Sequence, residues 1–222
     1  MRGPTKRRVE SSATRSLSSP FDQQIVSEEK RLAIVRAAGL AFKKRGFHNT
    51  SLDEVAAALG ITKPTIYYYA KGKQDLLFQC HQHALDLGDK AMALADPAAT
   101  GLENLERVLA HYIEQITGTF YSYSMLSDLN DLEPEQHKEI LRRRRKFDRF
   151  CRDLLKRGME DGSVRECDPM LTTFWIMGAI NAIPKWFDPE GPLTGKMVAQ
   201  EYISLLSRAI GKPADPTTTG HA

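Results

Sequence analysis

The chain has 222 residues, 41% of them apolar and 27% charged, which suits one or two packed domains with a real core. Its 31 Lys and Arg nearly balance 28 Asp and Glu, for a net charge of +3, but residues 1–73 hold 14 cations against 6 anions while residues 74–222 carry a net −5. The basic charge therefore sits at one end. Three cysteines, Cys80, Cys151 and Cys167, form no metal-type pair and no even disulfide framework, which predicts a reducing compartment. The longest apolar stretch, Met170 to Ile183, is too short for a bilayer, and residues 1–20 lack the apolar run of an export signal, so a cytoplasmic protein without membrane contact is expected.

Residues 1–26 are rich in Ser, Arg, Thr and Pro and poor in large apolar side chains, which predicts a mobile basic tail, either inert or an arm along a nucleic acid. From Ser27 the apolar period is helical. Leu32, Val35, Ala38, Leu40, Ala41 and Phe42 form the stripe of a first helix over about 28–45, ended by Gly46. Ser51-Leu52-Asp53-Glu54 is a capping box that starts a second helix burying Leu52, Val55, Ala56 and Leu59, and Gly60 offers the positive φ of a tight turn. Thr62 is placed to cap a third helix, with Pro64 in its first turn and Ile66 falling on the core. This is helix-turn-helix spacing. At about 100° per residue, Tyr67, Tyr68 and Tyr69 point three ways, so at least one ring is displayed beside Lys63, Thr65, Lys71 and Lys73, a face suited to phosphates and base edges. Breakers continue to Gly211 without sustained β-alternation, which predicts about nine helices and no sheet.

Residues 28–78 resemble the N-terminal domain of the TetR family of bacterial transcriptional repressors. Ala37-Ala38-Gly39-Leu40-Ala41-Phe42, Gly46-Phe47, Thr50-Ser51-Leu52, Val55-Ala56, Leu59-Gly60-Ile61, Thr65-Ile66-Tyr67-Tyr68-Tyr69, Lys73 and Leu76-Leu77 carry the resemblance, and Ala70 departs from it where a bulky residue is usual. The resemblance implies an all-α protein: a helix-turn-helix domain over 27–73, a helical ligand-binding and dimerisation domain over 74–211, and a flexible tail over 212–222. It implies that Lys63, Pro64 and Thr65 face bases, that Tyr67, Tyr68 and Tyr69 meet bases and phosphates, that Thr50 and Lys73 hold the DNA backbone, and that Ser51 and Thr62 belong to the same surface. It further implies a homodimer on a palindromic operator, released by a small-molecule effector through a fourth helix over about 73–94.

In the second part, Leu102, Leu105, Val108, Leu109, Tyr112, Ile113 and Ile116 form one helical stripe, and Phe120, Tyr121, Tyr123, Met125 and Leu126 suit a pocket wall or plain core. Arg142-Arg143-Arg144-Arg145-Lys146 lies on a helix expected over about 135–160. It reads either as a solvated face paired with Glu139, Asp148 and Asp153 or as a phosphate site. A second resemblance, over roughly 135–210, is to acyl-CoA-responsive TetR-type repressors of fatty-acid and sterol catabolism. Phe147 and Phe150, Gly158-Met159, Gly162, Asp168-Pro169, Gly178-Ala179-Ile180-Asn181 and Lys185-Trp186-Phe187 with Glu190-Gly191-Pro192-Leu193 carry it. It implies an acyl-CoA effector with Arg142, Arg143, Arg144 and Arg145 at its phosphates, and Phe147, Phe120, Tyr123, Asn181 and Trp186 at the pocket or dimer seam. Two last stripes, around Trp175 to Ile183 and Val198 to Ala209, suit a four-helix dimer contact, and Pro184 should kink or end the first.

Against an enzyme stand the lack of a Gly-rich phosphate loop, a nucleophile elbow and an HExxH run, and no cofactor is expected. His81 and His83 are two apart on different helix faces, so they are expected at the surface rather than on a metal. Cys151 and Cys167 raise a redox-sensor reading without a nearby second cysteine. A bare architectural DNA-binding protein would not need the long acidic second part.

Overall fold

The computed structural model describes residues 20–118 and 129–212. They form eight α-helices: α1 (Pro20–Arg45), α2 (Leu52–Ala58), α3 (Lys63–Tyr69), α4 (Lys73–Met92), α5 (Gly101–Ile116), α6 (Pro134–Glu160), α7 (Pro169–Trp186) and α8 (Gly195–Ile210), with a 3-10 turn at Leu129–Asp131. Among the described residues the only extended pairing is an isolated bridge between Val164 and Gly211.

Local chemistry sets the helix ends. Ser51 Oγ accepts from the Glu54 amide at 3.2 Å and Glu54 Oε2 accepts from the Ser51 amide at 2.9 Å, the expected capping box. Gly60 has φ 63°, a left-handed conformation that a side chain would strain. Asp168 caps α7 by accepting from the Met170 and Leu171 amides at 2.8 Å each. Three expectations change. Helix α1 begins at Pro20 rather than near 28, seven residues inside the segment read as a tail. Leu40, read as core, faces solvent, because Ile34, Val35, Ala38 and Phe42 already fill the inward stripe. Pro184 falls in the last turn of α7, which runs on past it for two residues to Trp186.

Two apolar cores result. The first joins Val35, Ala38 and Phe42 of α1, Val55 of α2, Ile66 of α3 and Leu76, Leu77 and Cys80 of α4, and it also includes Leu132 and Ile140. The second joins Leu105, Val108 and Ile113 of α5, Cys151 and Leu155 of α6, Ile176 and Ile180 of α7, and Val198 and Leu206 of α8. Helices α4 and α6 contribute to both cores. A boundary at residues 73/74 thus marks where α4 starts, while the first core continues along it to Cys80. The α5–α6 crossing is tight: a Cβ on Gly101 would lie 2.2 Å from the Gly158 nitrogen.

Candidate functional site

The helix-turn-helix presents α3 on a rigid base. Ile66 is fully buried, which turns the opposite side of a seven-residue helix outward: Tyr68 is 81% exposed, Tyr67 52%, and Thr65 and Pro64 are exposed beside them. Tyr69 is half-buried, its ring edge-on to Tyr68 at 5.0 Å. Lys63 Nζ rests on Asp53 Oδ2 at 2.9 Å, a surface pair that solvent and salt weaken and a phosphate can replace. Ser51 stays exposed at the head of α2.

Three of the residues implied at the DNA have hydrogen-bond partners within the domain. Thr50 is only 2% exposed, and its hydroxyl donates to the carbonyls of Gly46 at 2.9 Å and Ala41 at 3.3 Å, so its side chain fastens the end of α1. Lys73 Nζ donates to the Phe47 carbonyl at 2.8 Å and the His48 carbonyl at 3.3 Å and lies 4.4 Å from the Phe47 ring centre. Its ammonium ties the start of α4 to the loop before α2. Thr62 occupies the N-cap position of α3 but does not cap it; its Oγ1 pairs with Thr65 Oγ1 at 2.9 Å.

Below this domain a cavity of about 170 Å³ opens between α4, α5, α6 and α7. Ala84, Gly88 and Met92, with Phe147 and Met177, supply its apolar wall; His81, Tyr112, Arg144, Asp148 and Asn181 supply polar groups. Phe147 packs on Tyr112 at 5.0 Å between ring centres, and Gly88 lets the Phe147 ring come within 3.2 Å of where a Cβ would stand. His81 is only 1% exposed, not a surface residue as expected, because its side of α4 faces this cavity. Burial, helped by the Arg144 charge, pushes its pKa down to about 3, so it is neutral. Burial pushes Tyr112 up to about 12, lowers Arg144, and raises Asp148 despite the charges of Arg152 and Arg144. Asn181 Oδ1 is buried and accepts no hydrogen bond from any described residue.

The basic run on α6 fans out instead of converging. Arg142 turns to solvent and pairs with Glu139 at 2.7 Å. Arg143, 16% exposed, binds Asp86 at 2.8 Å and also Asp89, which in turn accepts Lys146 at 2.8 Å; this cluster ties α6 to α4 at the cavity rim. Arg144 enters the cavity and Arg145 is exposed. Five consecutive positions span more than one turn, so the five cations do not all converge on one point. Phe147 and Asn181 line the cavity as placed; Trp186 does not, standing exposed at the end of α7. Phe120 and Tyr123 lie outside the described residues. His81, Tyr112 and Met177 were missed as cavity residues. Tyr112 and Met177 look like ordinary core in the sequence, and a lone histidine on α4 carries no spacing signal. Cys151 is buried with its thiol pushed up to about 12 by burial, which keeps thiolate scarce and weighs against the redox-sensor reading.

On the far side, α7 and α8 expose Leu171, Phe174, Trp175, Met197 and Leu205, and an apolar groove of about 240 Å³ runs between α5, α7 and α8. No helix among the described residues is long and apolar enough to cross a membrane.

These features have counterparts in known proteins. Residues 34–80 match the family described as bacterial regulatory proteins, tetR family, and residues 98–210 match the one described as tetracyclin repressor-like, C-terminal domain. The chain belongs to the TetR family. It is accordingly a DNA-binding transcriptional regulator and not an enzyme. The transcriptional repressor KstR2 of Mycolicibacterium smegmatis is 25% identical over 183 residues, which cover 80% of this chain and 88% of that protein. The structure of KstR2 of Mycobacterium tuberculosis shares the fold, with a TM-score of 0.75 at 24% identity over 82% of this chain and 95% of that one. The regulator AibR, in a crystal structure with isovaleryl coenzyme A and operator DNA, is 26% identical with a TM-score of 0.67 over 79% of this chain and 97% of its own.

Proposed function

We propose that the protein is a homodimeric repressor that holds a near-palindromic operator with α3 of each copy and releases it when an acyl-CoA thioester fills each cavity. The observation that carries this reading is the double membership of α4 and α6. Their first turns help build the core under α3, through Leu76, Leu77 and Ile140, and farther along they wall the cavity, through Gly88 and Phe147. A ligand that needs more room than about 170 Å³ must part α4 from α6 and so shift the base of α3. Release follows only if the ligand binds the shifted form more tightly, since equal affinity for both forms changes nothing. Asp131 adds a second connection: it lies 2.9 Å from His48 Nε2, and its carbonyl accepts from Gln74 at 3.3 Å.

The dimer reading rests on the exposed apolar faces of α7 and α8, which a second copy would cover. For the effector class, the CoA thioester bound by AibR and the cations around the cavity give support, with Arg144 at the thioester carbonyl and the exposed Arg142 and Arg145 near the nucleotide phosphates. A phosphate-free apolar effector is the second reading, favoured by the pairing of Arg142 and Arg143 with carboxylates. The deciding experiment is binding to DNA from immediately upstream of the protein's own gene, titrated with acyl-CoA thioesters of graded chain length and with free coenzyme A. Release by one chain-length class and not by coenzyme A supports the first reading, whereas binding that no thioester disturbs supports the second.

A further inference from the structure

Asp53 and Glu54, neighbours in the first turn of α2, each hold a cation that belongs to another helix. Asp53 Oδ2 accepts from Lys63 Nζ, at the head of α3, at 2.9 Å. Glu54 divides its oxygens: Oε2 accepts from the Ser51 amide and closes the capping box, whereas Oε1 pairs with Arg45, the last residue of α1. All four charged side chains keep much of their surface in water, and pairs of this kind add little to stability. The helix ends are already fastened by Thr50, the Ser51 box and the turn at Gly60. The Lys63 ammonium is held above its ordinary pKa first by Asp53 and in small part by Tyr67, which puts the Asp53 pair beside the displayed side of α3. Arg45 and Lys63 thus reach one exposed turn from two different helices, each already neutralised there by a carboxylate.

Resting on the reading of α3 as the DNA-facing helix, we propose that Arg45 joins Lys63 in holding the phosphate backbone, and that Asp53 and Glu54 compete with the phosphates for these two cations and so hold the affinity for DNA below what the cations could give. The physics is ion exchange. A cation that neutralises a phosphate frees a counterion condensed on the DNA, and that release drives sequence-independent binding. When the cation must first leave a carboxylate, the stripped carboxylate gathers a cation from solution, so the net release is close to nil. The carboxylate also stands beside the DNA as a like charge. This restraint falls equally on every sequence, because phosphates carry no sequence information, so it lowers affinity without altering the preference for the operator.

The test is fluorescence anisotropy of the full-length protein, over a series of salt concentrations, on a random-sequence duplex and on DNA from upstream of its own gene. Asp53→Asn removes one charge at equal size, and Glu54→Gln removes the other while glutamine can still complete the capping box. Each should tighten both duplexes about three- to ten-fold, leave the ratio of the two affinities unchanged, and steepen the slope of log affinity against log salt by about 0.9. Arg45→Ala should cancel the gain of Glu54→Gln and leave that of Asp53→Asn. Asp153→Asn, which frees Lys156 from a similar surface pair at 3.2 Å on α6, alters net charge equally and should not move the slope. A variant that changes neither affinity nor slope overturns the proposal for its pair, as does a gain from Glu54→Gln that survives Arg45→Ala. Equal steepening by Asp153→Asn overturns both pairs, since net charge alone would then act. Weakened binding of the upstream DNA alone in Asp53→Asn overturns the Asp53 pair in favour of a carboxylate that accepts from a base edge. Tyr68→Ala separates this inference from the reading on which it rests. If it weakens binding while the carboxylate variants change nothing, only the inference fails; if it too changes nothing, α3 is not the DNA-facing helix and both fall. Circular dichroism checks that Glu54→Gln keeps its helix, and Asp53, outside the capping box, supplies the independent variant.

Discussion

The DNA-reading helix and the cavity are built on opposite plans. Helix α3 takes its place from neighbours close in sequence: the Ser51–Glu54 box, the left-handed Gly60, and Ile66 dropped into the core. Its most exposed side chains, Tyr67 and Tyr68, are left with few internal contacts, so on the proposed reading altering them should change DNA binding and little else. The cavity draws its wall from four helices spread over about 100 residues of chain, and its polar groups are buried, paired or shifted in pKa chiefly by burial. Changes there disturb stability and ligand response together. A recognition surface can be made by leaving side chains free; a responsive cavity has to be part of the packing that it perturbs.

The sharpest way to break this contrast is at the α5–α6 crossing. Gly101→Val places side-chain carbon against the Gly158 backbone, which cannot yield, and should destabilise the second core by more than about 4 kcal/mol in urea unfolding. A variant of native stability would mean that the two helices have slack. Next comes pH. His81 has a folded pKa of about 3, below its ordinary 6.5, so the unfolded chain takes up the proton first as pH falls. The stability His81 confers is therefore complete above about pH 6.5 and is lost toward pH 3, by about 3 kcal/mol at pH 4. Unfolding curves for the protein and for His81→Gln should diverge in slope over that window; parallel curves would place His81 in water.

On the other plan, Tyr68→Ala should weaken operator binding by about 10–100-fold, with unfolding free energy unchanged within about 0.5 kcal/mol. Operator binding that survives the change would remove Tyr68 from the interface. The smallest effect is at the capping box, where Ser51→Ala should cost about 1 kcal/mol, visible as a small shift of the urea midpoint.

How far the sequence could be read follows the same division. The boundaries of α2 and α3, the cap, the turn glycine and the display of at least one tyrosine were legible because each depends on residues within about four positions. The internal hydrogen bonds of Thr50 and Lys73 were not legible, because polar side chains look alike in sequence whether they face DNA or fasten a loop. The deciding facts are the Gly46 and Phe47 carbonyls that fold back to meet them. In the cavity, Arg142 to Lys146 drew attention as a block, yet their division among solvent, rim and interior depends on where Asp86 and Asp89 of α4 stand. His81 and Tyr112 had no periodic signature separating a cavity wall from ordinary core, since the two differ only in what packs opposite.

The central claim is that the cavity and α3 share an equilibrium through α4 and α6, and calorimetry of one effector with the free protein and with the protein–operator complex tests it most directly. Linkage requires the effector to bind the complex more weakly, by the same factor by which a saturating effector weakens operator affinity. That equality is the predicted result; equal effector affinity for free and operator-bound protein would contradict the account.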